Sequence, residues 1–375
     1  MIMRPGIPSR ILMTADTVGG VWTYALDLAR ALREEGVEVA LACMGGSATE
    51  EQRSEARAVD TLELFESSFR LPWMEQPWHD VQTAGEWLLD LATRLTPDLI
   101  HLNEPVYGSL AWPVPVLAVA HSCVLSWWET VHGGAAPASW GHYREKMGRG
   151  LRAADQVVAP SRWMLEAVRR FYGVNGGRVI PNGREALDQS PAAKEPLIFA
   201  AGRLWDPAKN LLALEEVAEG LPWPVFIAGE PQHPDGKKWV TAKHVQLLGR
   251  VSANEVAAWF RRASIYAFPA RYEPFGLSVL EAAQAGCALV LGDLPTLREL
   301  WDGAAIFVSP DRPSTLRLAL EGLIEDAPLR QELAMRARRR ALSFTPRSMV
   351  EAYLQVYTDL LAGRDSYAKE AACAL

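Results

Sequence analysis

The sequence predicts two doubly wound α/β domains facing a ligand cleft, and three observations carry that expectation. Strand-like and helix-like patterns alternate along the whole chain, the order that builds a parallel sheet covered by helices. The length of 375 residues exceeds what one core usually supports. Between the halves, residues 184–196 lose apolar periodicity and contain Pro191 and Pro196, which marks a linker. The predicted domains are therefore 1–183 and 197–346, followed by a last helical stretch within 347–375.

The elements follow in order. Residues 10–14 (RILMT) form a short buried strand, Gly19-Gly20 a turn, and 21–33 a helix that ends near Gly36. Residues 37–42, 98–102, 114–120, 156–159 and 178–183 supply further strands of the first half. In the second half the apolar runs at 197–201, 224–228, 245–248, 265–268, 288–291 and 305–308 read as strands. The arginine-rich stretch 314–342 reads as helical and 347–363 as one more helix. Ligands of open α/β sheets sit beyond the carboxyl ends of the strands, so strand-end residues are the ones to examine.

Composition narrows the function. The apolar fraction of 49% and charged fraction of 22% are those of an ordinary globular protein. Residues 1–182 carry 16 basic against 21 acidic side chains and the remainder 22 against 24, so neither half is basic and nucleic acid is not expected as a partner. The four cysteines are widely spaced, without a C-x-x-C pair, and read as buried thiols in a reducing compartment. The most apolar window, 114–128, is broken by Pro115, His121 and Ser122 and is too short for a membrane span. These features place the chain in the cytoplasm.

The chemistry concentrates at a few strand ends. Glu273-Pro-Phe-Gly-Leu-Ser-Val-Leu-Glu281 follows an apolar run and leads into a helix. This order aims the backbone N–H groups of Phe275, Gly276 and Leu277, and a helix dipole, at whatever lies above the strand. At about 1.5 Å of rise per residue the two carboxylates are roughly 12 Å apart or less, the span between hexose and ribose of a nucleotide-sugar. After the strand at 197–201 come Arg203 and Lys209, a fork and a mobile point charge suited to a diphosphate, or else two solvated surface cations. Thr17-Val-Gly19-Gly20 lets the backbone approach a phosphate at a helix start, although it is not G-x-G-x-x-G. His121 ends the strand at 114–120, where an imidazole can hydrogen-bond a sugar hydroxyl.

Together these motifs resemble the retaining glycosyltransferases of family 4, which have the GT-B fold of two Rossmann-like domains. The resemblance covers nearly the whole chain and includes Ala159-Pro-Ser161-Arg162, Val179-Ile-Pro-Asn182-Gly183, Gly202-Arg203…Lys209-Asn210, Gly249-Arg250-Val251 and Glu273-x7-Glu281. It implies a hexosyltransferase with no cofactor, whose donor is a UDP- or GDP-linked sugar. It further implies that Arg203 and Lys209 bind the donor diphosphate, that Glu281 binds the ribose, and that Arg250-Val251 lie near the base. Glu273, with the amides of Phe275, Gly276 and Leu277, would hold the sugar, and His121 would reach it from the amino-terminal domain. Gly19-Gly20 correspond to the amino-terminal glycine loop. The last helix would cross back onto the amino-terminal domain. The sequence departs from the family at Ser122, where aspartate is common, at Ala270, usually serine, and in 292–299, which has fewer glycines.

No D-x-D occurs in the chain, so the diphosphate is expected to be held by cations without a metal. The resemblance implies an acceptor hydroxyl, on a saccharide, glycolipid or small aglycone. Nine of the 14 tryptophans lie in residues 1–163, and Trp127 and Trp128 are candidates for the acceptor side, because adjacent residues should not share a face. A membrane-borne acceptor would rely on the local run Arg144, Lys146, Arg149 and Arg152 against an acidic domain. The rival readings are a nucleotide-sugar epimerase or hydrolase, which should carry further acid/base groups at strand ends, and a non-catalytic nucleotide-sugar binder, which should lack Glu273 or His121.

Overall fold

A computed structural model describes residues 6–185, 193–232 and 241–373, with side chains of the last helix described to Gly363. Most of the expected linker, 186–192, lies outside the described residues. The chain divides into two compact units: Met1–Ser126 with Ala135–Gly183 and Pro346–Leu375, and Trp127–Gly134 with Arg184–Thr345.

The first unit is built on a seven-stranded, all-parallel sheet. Its strands are β1 (Arg10–Asp16), β2 (Glu38–Met44), β3 (Leu62–Glu66), β4 (Leu99–Leu102), β5 (Val116–Val119), β6 (Gln156–Ala159) and β7 (Arg178–Val179). The helices between them are α1 (Gly20–Glu34), α2 (Glu50–Arg57), α3 (Trp78–Leu95), α4 (Val124–His132), which is counted with the second unit from Trp127 onward, α5 (Gly141–Ala153) and α6 (Arg162–Tyr172). Strand order is β3-β2-β1-β4-β5-β6-β7, so the winding direction reverses between β1 and β4. β3 leaves no apolar run in the sequence: its LELFE alternates with charge because it is an edge strand left partly exposed.

The second unit carries a six-stranded parallel sheet of order β10-β9-β8-β11-β12-β13. Its strands are β8 (Glu195–Ala201), β9 (Val225–Ala228), β10 (Gln246–Gly249), β11 (Ala263–Phe268), β12 (Ala288–Gly292) and β13 (Ala305–Val308). The helices are α7 (Leu212–Ala218), α8 (Ala253–Arg262), α9 (Leu277–Gln284), α10 (Pro295–Trp301), α11 (Pro313–Glu325) and α12 (Ala327–Ala341). The sheet reverses between β8 and β11. Strands β11 and β12 are buried along their whole length, which is why they read as continuous apolar runs without alternation. β8 begins two residues before its apolar run, because Glu195 pairs in register with Ala263 and its carboxylate accepts two bonds from Arg262.

The helical stretch over 314–342 is divided into two helices. Asp326 breaks it: its carboxylate accepts from Leu329 N at 2.8 Å and caps α12, while Pro328 in the first turn has no N–H to continue α11. The last helix, α13 (Pro346–Cys373), extends ten residues beyond the periodicity read from sequence and belongs to the first unit. Met349, Val350, Tyr353, Val356 and Tyr357 form its buried stripe, each at most 3% exposed. Burying side chains of this size contributes about 1.5–3 kcal/mol each, enough to hold the helix there.

Candidate active site

In the second unit the reversal point lies between β8 and β11, and the loops leaving these strands are fastened to each other. Arg271 N donates to Ala208 O at 2.8 Å. Asn210, whose φ is +52°, donates from Nδ2 to Pro269 O at 2.9 Å and to Pro310 O at 3.0 Å, and accepts from Arg271. Side chains on both loops therefore hold fixed relative positions.

Those side chains include three of the predicted site residues. Lys209 Nζ lies 2.7 Å from Glu273 Oε2, with the two side chains only 18% and 13% exposed. The reading of Lys209 as a solvated surface cation is thus excluded; it is a partly buried ion pair. Glu273 is steered further by its own segment: Oε1 accepts from Phe275 N at 3.3 Å, and its carbonyl accepts from the buried Thr296 of α10 at 2.6 Å. Arg203, 38% exposed, donates to Asp206 Oδ2 at 2.8 Å, and its guanidinium stands 5.3 Å from the Trp205 ring. Asp206 in turn accepts from Ala208 N at 3.0 Å, which shapes the loop.

Gly276 is the N-cap of α9 at φ +91°. A Cβ there would meet Val279 Cγ2 at 3.1 Å and Glu273 Cγ at 3.4 Å, so glycine both permits the turn and keeps Glu273 in place. Leu277 begins α9, and Glu281 lies one turn inside it. Glu281 is ion-paired with Arg184, both about one-eighth exposed. Sequence reasoning missed Arg184, since it follows Asn182-Gly183 in a stretch without periodicity. Arg250 is exposed after β10, and Val251 is half-buried ahead of the Ser252 cap of α8.

In the first unit, Gly19 and Gly20 lead into α1 directly beyond β1. The amides of Val18 and Gly19 each donate to Asp16 Oδ1 at 2.9 Å, so this loop is organised by the chain's own carboxylate. His121 follows β5 by two residues and is half-buried; its Nε2 lies 2.8 Å from Asn103 Oδ1. Burial pushes the imidazole down to about 3, so it is neutral at ordinary pH. Glu104, after β4, is pushed the other way, to about 8, by burial and by the charge of Asp16. Asn103 and Glu104 were overlooked although strand-end position alone pointed to them.

Trp127 and Trp128 lie on α4, both half-buried. Their rings are 5.8 Å apart at 63°, and both meet His132, at 5.3 and 4.4 Å. The expectation that neighbours must diverge is corrected here: indoles are long enough to turn back across the helix surface onto a common partner.

Comparisons with known proteins show the family and the fold. A profile described as Glycosyltransferase Family 4 matches residues 18–186, and one described as Glycosyl transferases group 1 matches 195–326. The glycogen synthase of Mycobacterium tuberculosis is 26% identical over 91% of each chain. The phosphatidyl-myo-inositol mannosyltransferase of Mycolicibacterium smegmatis is 28% identical over 87% of this chain and 86% of its own. Among solved structures, an Anabaena protein in complex with UDP and glucose superposes with a TM-score of 0.72 at 16% identity, over 94% of this chain and all of that one. No helix among the described residues is long and apolar enough to cross a membrane. The chain belongs to the family 4 glycosyltransferases, enzymes of the GT-B fold.

Proposed function

We propose that the chain transfers a hexose from a UDP- or GDP-linked donor to a hydroxyl of a saccharide, glycolipid or small aglycone, with retention at the anomeric carbon and without a metal ion. The observation that carries this reading is the Lys209–Glu273 pair held beside the N-terminus of α9. A partly buried cation, the Arg203 fork and helix amides match a diphosphate; a carboxylate beside them matches sugar hydroxyls. Glu281 takes the ribose and Arg250-Val251 the base. His121 contributes a neutral imidazole to the transferred sugar.

The step breaks the bond between anomeric carbon and phosphate oxygen and forms one from that carbon to the acceptor oxygen. The acceptor's proton passes to the departing phosphate on the same face. Glu273 is tied to Lys209 and to Phe275 N, an arrangement for holding a sugar rather than for attacking it. Retention then proceeds without the paired carboxylates of a retaining hydrolase. Charge developing on the leaving diphosphate is met by Arg203 and Lys209. The names of the relatives, one a glycogen synthase and the other a mannosyltransferase, support a hexose as the group moved. Incubation with nucleoside-diphosphate sugars in EDTA, with and without sugar and polyol acceptors, tests the reading. Acceptor-dependent nucleotide release with a new glycoside supports it; isomerised donor, or binding without release, points to the rival activities.

A further inference from the structure

Asn103 stands directly after β4 and is 4% exposed. Its Nδ2 donates to Thr14 O at 2.6 Å and its backbone N to Thr14 Oγ1 at 2.8 Å, anchoring it to β1. A backbone carbonyl can only accept, so the NH2 of the amide must face Thr14 and its oxygen must face away. That oxygen is the atom 2.8 Å from His121 Nε2. A carbonyl oxygen brings no proton, so Nε2 has to supply it. We propose that Asn103 is a positioning residue that fixes His121 as the Nε2–H tautomer and leaves Nδ1 a bare acceptor, reserved for a hydroxyl of the transferred sugar. The sugar role rests on the reading of His121 given above; the tautomer does not.

The surroundings keep this ring neutral. Tyr24 of α1 meets His121 edge to face at 4.4 Å. His101 of β4, fully buried, also meets Tyr24, with Nε2 3.2 Å from the Tyr24 hydroxyl and Nδ1 2.7 Å from that of Tyr357. Tyr353 of α13 closes the group, 5.2 Å from the His101 ring and 6.2 Å from that of Tyr24. Burial, and the charge that a protonated His121 would impose, hold His101 near 3 as well, against a hydrogen bond with Asn103 that raises it. A neutral Nε2–H imidazole has no proton on Nδ1, so that atom cannot donate to a phosphate oxygen. It can accept only from an O–H or N–H, and in a sugar nucleotide the donors of that kind at the hexose are its hydroxyls.

The full chain carrying 15N-labelled histidine can be read by long-range proton–nitrogen correlation, with the His121 signal identified by its loss in His121→Ala. A protonated Nε2 and an unprotonated Nδ1, unchanged from pH 8 to pH 5, are expected. An Nδ1–H tautomer, or titration near the ordinary 6.5, overturns the assignment. Asn103→Asp supplies a second readout. A carboxylate facing Nε2 favours the imidazolium, so transfer should fall as pH drops through the raised His121 pKa and recover above it. That loss should appear in kcat, with donor KM within about two-fold of wild type. A profile parallel to wild type at lower amplitude overturns the positioning role. Undiminished transfer by His121→Ala overturns the sugar role of Nδ1, whatever the tautomer.

Discussion

Lys209 on the loop after β8 and Glu273 on the loop after β11 form a 2.7 Å ion pair across the point where the strand order of the second unit reverses. Each residue therefore positions the other, and in the proposed function each also presents a charge to the donor. Removing either alone leaves an uncompensated charge in a site that is more than four-fifths buried. Lys209→Ala should cost about 1–3 kcal/mol of stability as well as activity. The double variant Lys209→Met with Glu273→Leu should recover much of the stability and none of the transfer. Chemical denaturation of the four members of this cycle checks the coupling.

Arg203 behaves differently, since it is more exposed and pairs only locally with Asp206. Arg203→Lys, which keeps a cation beside the buried Asp206 carboxylate but loses the fork, should leave the melting temperature nearly unchanged. Its loss of a donor to developing charge should lower kcat by a factor of about 10²–10³. Steady-state kinetics beside thermal melts separate the two cations.

The two carboxylates should separate in kinetics. Glu281→Gln should mainly raise donor KM, because ribose contacts are alike in ground and transition states. Arg184→Ala should act in the same direction, since it frees the carboxylate it now holds. Glu273→Gln should lower kcat. Equal changes in both constants for all three variants would remove the distinction.

Stability should peak near pH 6.5. His101 and His121 have folded pKa values of about 3, below the ordinary 6.5, so the unfolded chain binds more protons and stability is lost as pH falls from 6.5 towards 3. Glu104 is raised from 4.5 to about 8, so its contribution is complete below 4.5 and is lost as pH rises through 8. Each proton changes stability by about 1.4 kcal/mol per pH unit. Between 4.5 and 6.5 the two histidines outweigh the one carboxyl, and above 6.5 the carboxyl acts alone. Glu104→Gln should flatten the alkaline side and steepen the limb between 4.5 and 6.5, where the carboxyl no longer opposes the histidines, which denaturant titrations at a series of pH values can read.

Much of this was legible in the sequence, for identifiable reasons. Buried parallel strands leave uninterrupted apolar runs, so β11 and β12 were plain. Gly276 is required by a positive φ, and its place between Glu273 and Leu277 fixed the loop and the start of α9. The edge strand β3 was hidden because its outward residues are polar, and the break at Asp326 because a capped, proline-started helix continues the periodicity of the one before it. What could not be read were partners distant in sequence. Lys209 and Glu273 are 64 residues apart. Arg184 and Glu281 are separated by about a hundred, and no local pattern announces either pair. Asn103 lay one residue past a recognised strand and was missed because an amide alone suggests no chemistry.

The central claim is that the pair Lys209–Glu273 holds a sugar nucleotide for transfer. The most direct measurement is single-turnover transfer in EDTA from the preferred nucleoside-diphosphate sugar, comparing wild type with Lys209→Ala and with the Lys209→Met, Glu273→Leu double variant, with product anomer assigned by NMR. The account predicts one nucleoside diphosphate released per glycoside formed, retained configuration, and at least a hundred-fold slower transfer in both variants, on the order expected for loss of a group that stabilises the leaving charge. Wild-type rates in the folded double variant, or transfer that stops in EDTA and returns only with manganese or magnesium, would contradict it.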